Sequence, residues 1–283
     1  MKMMRYSLDQ LIKEADKLPP IPQAAQKALA LIRSPESSAS ALSRVIEMDQ
    51  VLTTQVLRWA NSAYYGMENR ISTVQQAIVV LGLEIIQELI MTYSFSDRLY
   101  KPLPGYELQR GELWQHALGT AIGAKLISKK LHLKIDEDAY FAGLLCDIGK
   151  LVFEKLLRES EINRSEWGQH SFLELERNSF GIDHAMLGAE IARRWQLPEN
   201  LVTAIAHHHE PQSAENHVLL VAAVHVADVS MMTLGVGIGI DGLQYPLDNA
   251  ALNRLGMTFE DLFHLIEQVA EQCAKAKEMI SIV

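Results

Sequence analysis

The spacing of apolar residues constrains the fold more than any other feature of this sequence. Nearly every apolar segment repeats at intervals of three or four residues, which is the period of one face of an α-helix. A clear example consists of Val74, Ile78, Leu81, Ile85 and Leu89. Strict alternation, the pattern of a half-buried strand, does not occur over any convincing length. The sequence therefore predicts an all-α protein.

The most strand-like segment is the apolar run VLLVAAVHV at residues 218–226. Its alanine content and its continuation into Ala227 and Asp228 favour a buried helix instead. Periodicity alone does not separate a short buried strand from a buried helix, so the composition of the segment decides the matter. We therefore interpret this run as a helix of the core.

Two breaks in the helical pattern suggest where the chain divides. Residues 101–105, KPLPG, are predicted to join two packed helical lobes, and residues 235–242, GVGIGIDG, to form a glycine-rich loop. We therefore expect an N-terminal lobe over 1–100, a second lobe over 101–230, and a loop and helix over 231–283 that pack on this module. Thr258 should cap that last amphipathic helix, whose apolar residues are Phe259, Leu262, Phe263, Ile266 and Val269.

Composition excludes several classes of protein. The 283 residues carry a formal net charge of −9, so nucleic acid is not expected as a partner. The two cysteines, Cys146 and Cys273, lie in no paired motif, which is typical of a reducing compartment. No signal peptide and no run of about 18 apolar residues occurs, so we expect a cytoplasmic protein without a membrane segment. A homo-oligomer is compatible with the sequence.

Histidines and aspartates recur in short motifs of the second half of the chain. Leu201, Ile205 and His208 share one face of a predicted helix, so His208 should point inward, and His209 lies on the adjacent face. Two buried neighbouring histidines favour a shared metal ion over unsatisfied ring nitrogens. The alternative is a structural role at a helix end, where a positive ring suits the helix dipole. His207 is interpreted as a bystander.

Three segments of the N-terminal half resemble the HDOD family: LPPIPQAAQKALALI, VIEMDQVLTTQVLRWANSAYYG and STVQQAIVVLGLEII. The Asn-Ser pair at 61–62 and the helix around 77–82 carry most of the resemblance, which covers about residues 10–230. It implies a bacterial, all-helical regulatory module whose second lobe is similar to an HD-type metal phosphohydrolase domain. Trp59, Tyr64 and Tyr65 could then anchor a partner protein, or could close the seam between the lobes.

The HD resemblance implies two adjacent metal sites. In the order typical of that superfamily, the second site would use Asp147, His184, His208 and His209. The first site would use His116, Asp147 and Asp228, with a further histidine that this chain lacks. Imidazoles and carboxylates suit iron, manganese or zinc, although the sites could also be empty. If the protein is an enzyme, Asp147 and Lys150 are the expected catalytic residues, and Lys150 could face a phosphate.

Cys146 stands where the resemblance places the missing histidine. A thiolate could replace that ligand, because zinc and iron bind sulfur. The sulfur sits on a short stem, however, and does not reach where an imidazole nitrogen reaches. The alternative is that Cys146 is a small buried hydrophobe.

Two functions follow from these observations. The first is a signalling module with a degenerate HD site, which acts by binding an unidentified signalling protein. The second is a working metal-dependent phosphohydrolase for a nucleotide or a phosphodiester. The degenerate position at Cys146 favours the first. The segment DGLQYP at 241–246 is not interpreted as the GYP loop of cyclic-di-GMP phosphodiesterases, because its second glycine is absent and it follows Asp228.

Overall fold

The computed structural model describes residues 8–18, 22–32, 34–35, 37–159, 171–239 and 245–276, and its regular secondary structure there is helical. Within these ranges no strand forms, and the nearest approach to one is an isolated bridge between Leu103 and Leu108. The prediction of an all-α protein is therefore confirmed. The helices are α1 (Leu8–Ala15), α2 (Gln23–Ile32), α3 (Ala39–Glu47), α4 (Gln50–Ala60), α5 (Val74–Leu99), α6 (Glu112–Lys130), α7 (Asp136–Leu145), α8 (Lys150–Glu159), α9 (Phe172–Phe180), α10 (His184–Arg194), α11 (Glu199–His207), α12 (Val218–Thr233), α13 (Asn249–Leu255) and α14 (Phe259–Lys275).

The chain forms two compact units. One comprises Met1–Leu18 and Leu99–Glu271, and the other comprises Pro19–Arg98 and Gln272–Val283. The division at Leu99 lies two residues before the predicted joint at 101–105. The units differ from the predicted domains in two respects. Helix α1 belongs with the later residues, because it packs against α10, and Asp16, the residue after α1, accepts a hydrogen bond of 2.9 Å from Arg194. Residues 231–271, most of the predicted C-terminal segment, also belong to that same unit.

The smaller unit contains α2 to α4 and almost all of α5. Ser38 and Asp49 accept backbone N–H groups at the starts of α3 and α4, which is the usual reason for a helix to begin at such residues. Trp59 is fully buried, so it is a core residue rather than an exposed anchor. Asn61 fastens the following loop, because its side chain donates to Ile71 O and accepts from Ile71 N at 2.8 Å each.

Helix α5 is interrupted at Gly82, whose backbone has φ 83° and ψ 166°. The interruption resets the apolar face: Val74 and Ile78 are buried before it, and Ile86 and Leu89 after it. The predicted continuous stripe through Ile85 therefore does not form. By length and composition α5 could cross a membrane, but 56% of its most apolar stretch is buried inside the protein. That burial is typical of a core helix.

The larger unit is built around α6 and α12, which are buried along most of their lengths. The run at 218–226 lies in α12, so its interpretation as a core helix is confirmed. Glycines allow the two helices to approach closely. A Cβ atom at Gly119 would lie 2.3 Å from the Met231 side chain, and one at Gly123 would lie 3.1 Å from Ala227 Cβ.

The last helix, α14, begins as predicted, because the Thr258 hydroxyl accepts the backbone N–H of Asp261 at 3.2 Å. Its buried face differs from the predicted one. Leu262, Leu265 and Val269 are buried, whereas Phe259 and Phe263 are exposed. Residues 240–244, which include the end of the predicted glycine-rich loop, lie outside the described part of the chain, as do residues 277–283.

The backbone at Gly82 yields a prediction about stability. Its φ and ψ are essentially restricted to glycine, and no atom lies within 4 Å of a Cβ built there. Gly82→Asn should therefore lower the free energy of unfolding by about 1–3 kcal/mol through backbone strain alone. Urea titration followed by far-UV circular dichroism measures the loss.

Gly256 is the matched control, because it also has open space around its Cβ position but adopts the left-handed helical region, with φ 65° and ψ 25°. Asparagine tolerates that region. Gly256→Asn should therefore change stability much less. Equal losses at the two positions would contradict the assignment of strain to Gly82.

Candidate metal centre

The Asp147 carboxylate lies at the centre of the site, in the turn between α7 and α8. Gly149 brings this turn against the start of α10: a Cβ atom there would lie 2.0 Å from the carbonyl oxygen of His184. A side chain at 149 would therefore push Asp147 away from His184. In the structure, Asp147 Oδ1 lies 3.2 Å from His184 Nε2. The predicted convergence of these two residues is observed.

The second predicted ligand set, Asp147, His184, His208 and His209, forms one cluster. Each residue offers an atom that lies within 4.8 Å of the atoms offered by the others. Nε2 of His184 and Nε2 of His209 are 3.0 Å apart, and His208 Nε2 is 3.8 Å from Asp147 Oδ1. His208 is fully buried, as its helical face predicted, and His207 is in neither cluster.

The first predicted ligand set also converges, in part. His116, Asp147 and Asp228 form a second cluster that shares Asp147 with the first. Close packing of α6 on α12 places His116 Nε2 2.7 Å from Asp228 Oδ1. His116 Nε2 is 3.7 Å from Asp147 Oδ2. Lys150 donates to the same Asp147 Oδ2 at 2.9 Å, so the predicted lysine does face the centre.

Cys146 belongs to neither cluster among the described residues. Its thiol is fully buried and donates to Gly143 O at 3.2 Å, one turn back along α7. Burial, with the nearby charges of Asp147 and Asp228, raises the pKa of the Cys146 thiol well above its ordinary value. A neutral thiol directed at a backbone carbonyl fits the role of a small buried hydrophobe rather than that of a metal ligand.

Three of the imidazoles are oriented in the same way. The Nδ1 atom of His116 lies 2.8 Å from Val236 O, and that of His208 lies 2.8 Å from Ile205 O. Carbonyls only accept, so these Nδ1 atoms donate. Nε2 of His208 is then left as a free lone pair, whereas Nε2 of His116 donates to the Asp228 carboxylate. Nδ1 of His184 likewise lies 2.8 Å from the Glu176 carboxylate. The Nε2 atoms of all three rings face Asp147.

The charges of the site are strongly coupled. Burial alone would raise the pKa of Asp147, but Lys150, His184 and His208 hold it well below its ordinary value. Burial would lower the pKa of His184, but Glu176 and Asp147 raise it to about 9. Burial and the neighbouring rings of His208 and His184 lower the pKa of His209 well below its ordinary value. The site therefore places the basic imidazole of His184 beside the imidazole of His209, which stays neutral.

Three buried polar atoms of the site show whether its residues suit a metal ion. Asp147 Oδ1, His208 Nε2 and Asp228 Oδ2 are buried, and none has a hydrogen-bond partner in the described structure. Buried polar atoms without a partner are uncommon and costly in free energy, and a bound ion is one explanation. Two of these three atoms belong to the second ligand set. The residues present therefore fit a divalent metal ion held by Asp147, His184, His208 and His209.

Three residues near the site were not among the predicted ones. Glu176 lies at helical spacing from Leu173 and Phe180 on the buried face of α9, so a carboxylate among apolar neighbours was a detectable signal. Tyr245 stacks on His209 with ring centroids 4.6 Å apart. It belongs to the DGLQYP segment, of which 241–244 lie outside the described residues. Tyr106 lines the same cleft, and no sequence pattern marked it.

Comparison with known proteins now decides the family. The HDOD domain profile matches residues 18–211, about two thirds of the chain. The chain belongs to the HDOD domain family. An uncharacterized protein of Treponema pallidum is 29% identical over 234 residues, which are 78% of this chain and 44% of that protein. This chain therefore spans less than half the length of that relative.

Two solved structures share the fold. An HDOD domain protein of unknown function from Geobacter sulfurreducens has 25% identity and a TM-score of 0.78, with 97% of each chain covered. A proposed phosphohydrolase from Shewanella amazonensis has 24% identity and a TM-score of 0.72, with 95% of this chain and 96% of that chain covered. The HDOD fold thus extends over nearly the whole chain.

Substitution of Cys146 tests the assignment of the ligands. Because its thiol is in neither cluster, Cys146→Ala should bind zinc or manganese as tightly as the wild type, while losing about 1 kcal/mol of stability through the small cavity. His208→Ala removes a ligand atom and should bind at least about tenfold more weakly. Elemental analysis after equilibrium dialysis measures both. A loss in Cys146→Ala as large as that in His208→Ala would make the thiol a ligand.

Proposed function

We propose that this HDOD protein is a bacterial signal-transduction module with a degenerate HD metal site, and that it acts by binding another protein. The observation that carries the proposal is the state of position 146. A buried thiol that donates to Gly143 O stands where the HD resemblance requires an imidazole ligand. The first metal site is thereby reduced to three ligand residues.

The ligand count bears directly on catalysis. Two-metal hydrolysis uses two ions about 3.5–4 Å apart to activate water and to neutralise the phosphate. Here only His116, Asp147 and Asp228 remain for the first ion, and Asp147 would be shared with the second. If the first ion is bound weakly, the attacking water is also displaced from its position. A displacement of about 1 Å can reduce the rate about 100-fold. Little or no phosphodiester turnover is therefore expected.

The second site differs in that it can still bind a metal ion, because its three imidazoles and one carboxylate are all in place. When bound, a metal ion would supply Lewis acidity and would lower the pKa of a bound water. The protein's own residues hold the ligands: Lys150 balances the charge of Asp147, and Tyr245 packs on the His209 ring. An ion there would join the α7–α8 turn to α10 and to the end of α11, and would stabilise the fold.

The surface of the smaller unit supports an interaction role. Four large apolar side chains of this unit have exposed fractions of 52–72%. They are Met48 at the end of α3, Val51 on α4, and Val79 and Val80 on α5. Exposed apolar groups mark a site of protein binding where they form a contiguous patch. The partner would be a signalling protein in the cytoplasm. The bacterial sources of the similar proteins agree with this setting.

The alternative function is a metal-dependent phosphohydrolase acting on a nucleotide or a phosphodiester. Two observations favour it: the second ligand set is complete, and Lys150 faces the centre, where it could meet a phosphate. The Shewanella amazonensis protein of similar fold is itself described as a proposed phosphohydrolase. In this case Asp147 and Lys150 would be the catalytic residues.

Hydrolysis assays separate the two functions. Wild type and Cys146→His are each loaded with manganese, iron or zinc and assayed on bis-p-nitrophenyl phosphate and on cyclic dinucleotides. The wild type should show no turnover above the background of Asp147→Ala, because its first site lacks a ligand. Activity that appears only in Cys146→His would show that the missing imidazole is the cause.

Robust hydrolysis by the wild type that Asp147→Ala abolishes would replace the signalling proposal by the enzymatic one. Circular dichroism of each variant provides the control, because an imidazole is larger than the fully buried thiol that it replaces. The result for the wild type does not depend on whether Cys146→His folds.

A further inference from the structure

Glu176 is a carboxylate with no exposed surface, on the inner face of α9. A buried charge is costly in free energy unless it is paired and hydrogen-bonded. Glu176 meets this requirement through two neighbours. It accepts the backbone N–H of His184 at 2.6 Å and the ring Nδ1–H of His184 at 2.8 Å, both at Oε2. Its other oxygen, Oε1, accepts the Tyr106 hydroxyl.

These contacts fix the position of the His184 ring. The backbone contact ties the carboxylate to the first residue of α10, and the ring contact sets the rotation of the imidazole about that backbone. With Nδ1 held by Glu176, Nε2 is directed at Asp147 Oδ1, 3.2 Å away. Tyr106 in turn holds the second carboxylate oxygen, so Glu176 cannot rotate freely.

The other inward-facing imidazoles are held differently. His116 and His208 donate from Nδ1 to the backbone carbonyls of Val236 and Ile205, which carry no net charge. His184 donates to a carboxylate instead. A carboxylate on the far nitrogen makes an imidazole a stronger metal ligand, as well as orienting it. His184 should therefore be the strongest nitrogen donor of the cluster.

We propose that Glu176 is a positioning residue for the metal ion held by Asp147, His184, His208 and His209, and that Tyr106 supports it. The inference rests on the metal site proposed above. It adds a residue that takes no part in the ligand set and yet controls the affinity of that set for divalent cations.

Cobalt(II) is the probe, because its visible absorption reports the number and type of its ligands. Its affinity for full-length wild type and for Glu176→Gln is measured by titration and by competition with a chromophoric chelator. Glutamine keeps the size of the side chain and can still accept from His184, but it removes the charge. Glu176→Gln should bind cobalt about 10–100-fold more weakly, with a changed visible spectrum.

Asp183→Asn is the matched control. Asp183 is also a buried carboxylate, adjacent to His184, and it accepts from Met186 N at 2.9 Å and from Arg177 Nε at 2.7 Å. No contact joins its carboxylate to the His184 ring in the described structure. Asp183→Asn should lower stability in urea while leaving cobalt affinity within about twofold of the wild type.

Tyr106→Phe is the second variant, and it keeps the proposal testable if Glu176→Gln does not fold. It removes only the hydroxyl that donates to Glu176, so cobalt binding should weaken by a few-fold and less than about tenfold. Unchanged affinity in either Glu176→Gln or Tyr106→Phe, or an equal loss in Asp183→Asn, would overturn the positioning role alone. Failure of the wild type to bind cobalt at all would overturn the metal site together with it.

Discussion

Burial of the Asp147 charge is the constraint on which the rest of the site depends. A carboxylate with almost no exposed surface must be balanced, and the structure surrounds it with the Lys150 ammonium and with the imidazoles of His116, His184 and His208. Each of those imidazoles must itself be held in one orientation. The carbonyls of Val236 and Ile205 and the carboxylate of Glu176 do this from behind.

Close backbone contacts bring these groups together. Glycines at 119 and 123 let α6 approach α12, and Gly149 lets the α7–α8 turn approach α10. A further glycine, Gly237, lies where a Cβ would be 2.7 Å from His116 Cβ, beside the carbonyl that orients the His116 ring. The polar centre is therefore held by packing of the helices around it, and replacement of a single ligand need not disturb the scaffold.

The sequence predicted those features that local periodicity and motif order control. The all-α class and the inward face of His208 follow from helical spacing, and the convergence of the second ligand set was implied by the resemblance to the HD superfamily; the structure shows all three. The break at Gly82 was missed, since the apolar stripe continues through it in sequence. The exposed phenylalanines of α14 were missed because periodicity does not determine which half of an apolar face is covered.

Partners that come from distant, irregular segments could not be predicted. Tyr106 lies in the segment between α5 and α6, Tyr245 follows the glycine-rich loop, and the Val236 carbonyl is a backbone group. None of them is marked by residue type or spacing. Glu176 differs, because a carboxylate on the apolar face of α9 is visible in the sequence once the helix is known.

Gly149 has a consequence for how such a site changes over generations. A histidine-to-cysteine exchange at 146 swaps one buried group for a smaller one and leaves the helices where they are, whereas any side chain at 149 would collide with the His184 backbone. As substitutions accumulate, metal ligands should therefore be lost before the glycines that allow the helices to approach. A relative that keeps the glycine but has lost several ligands would still have the cleft, free to acquire another use.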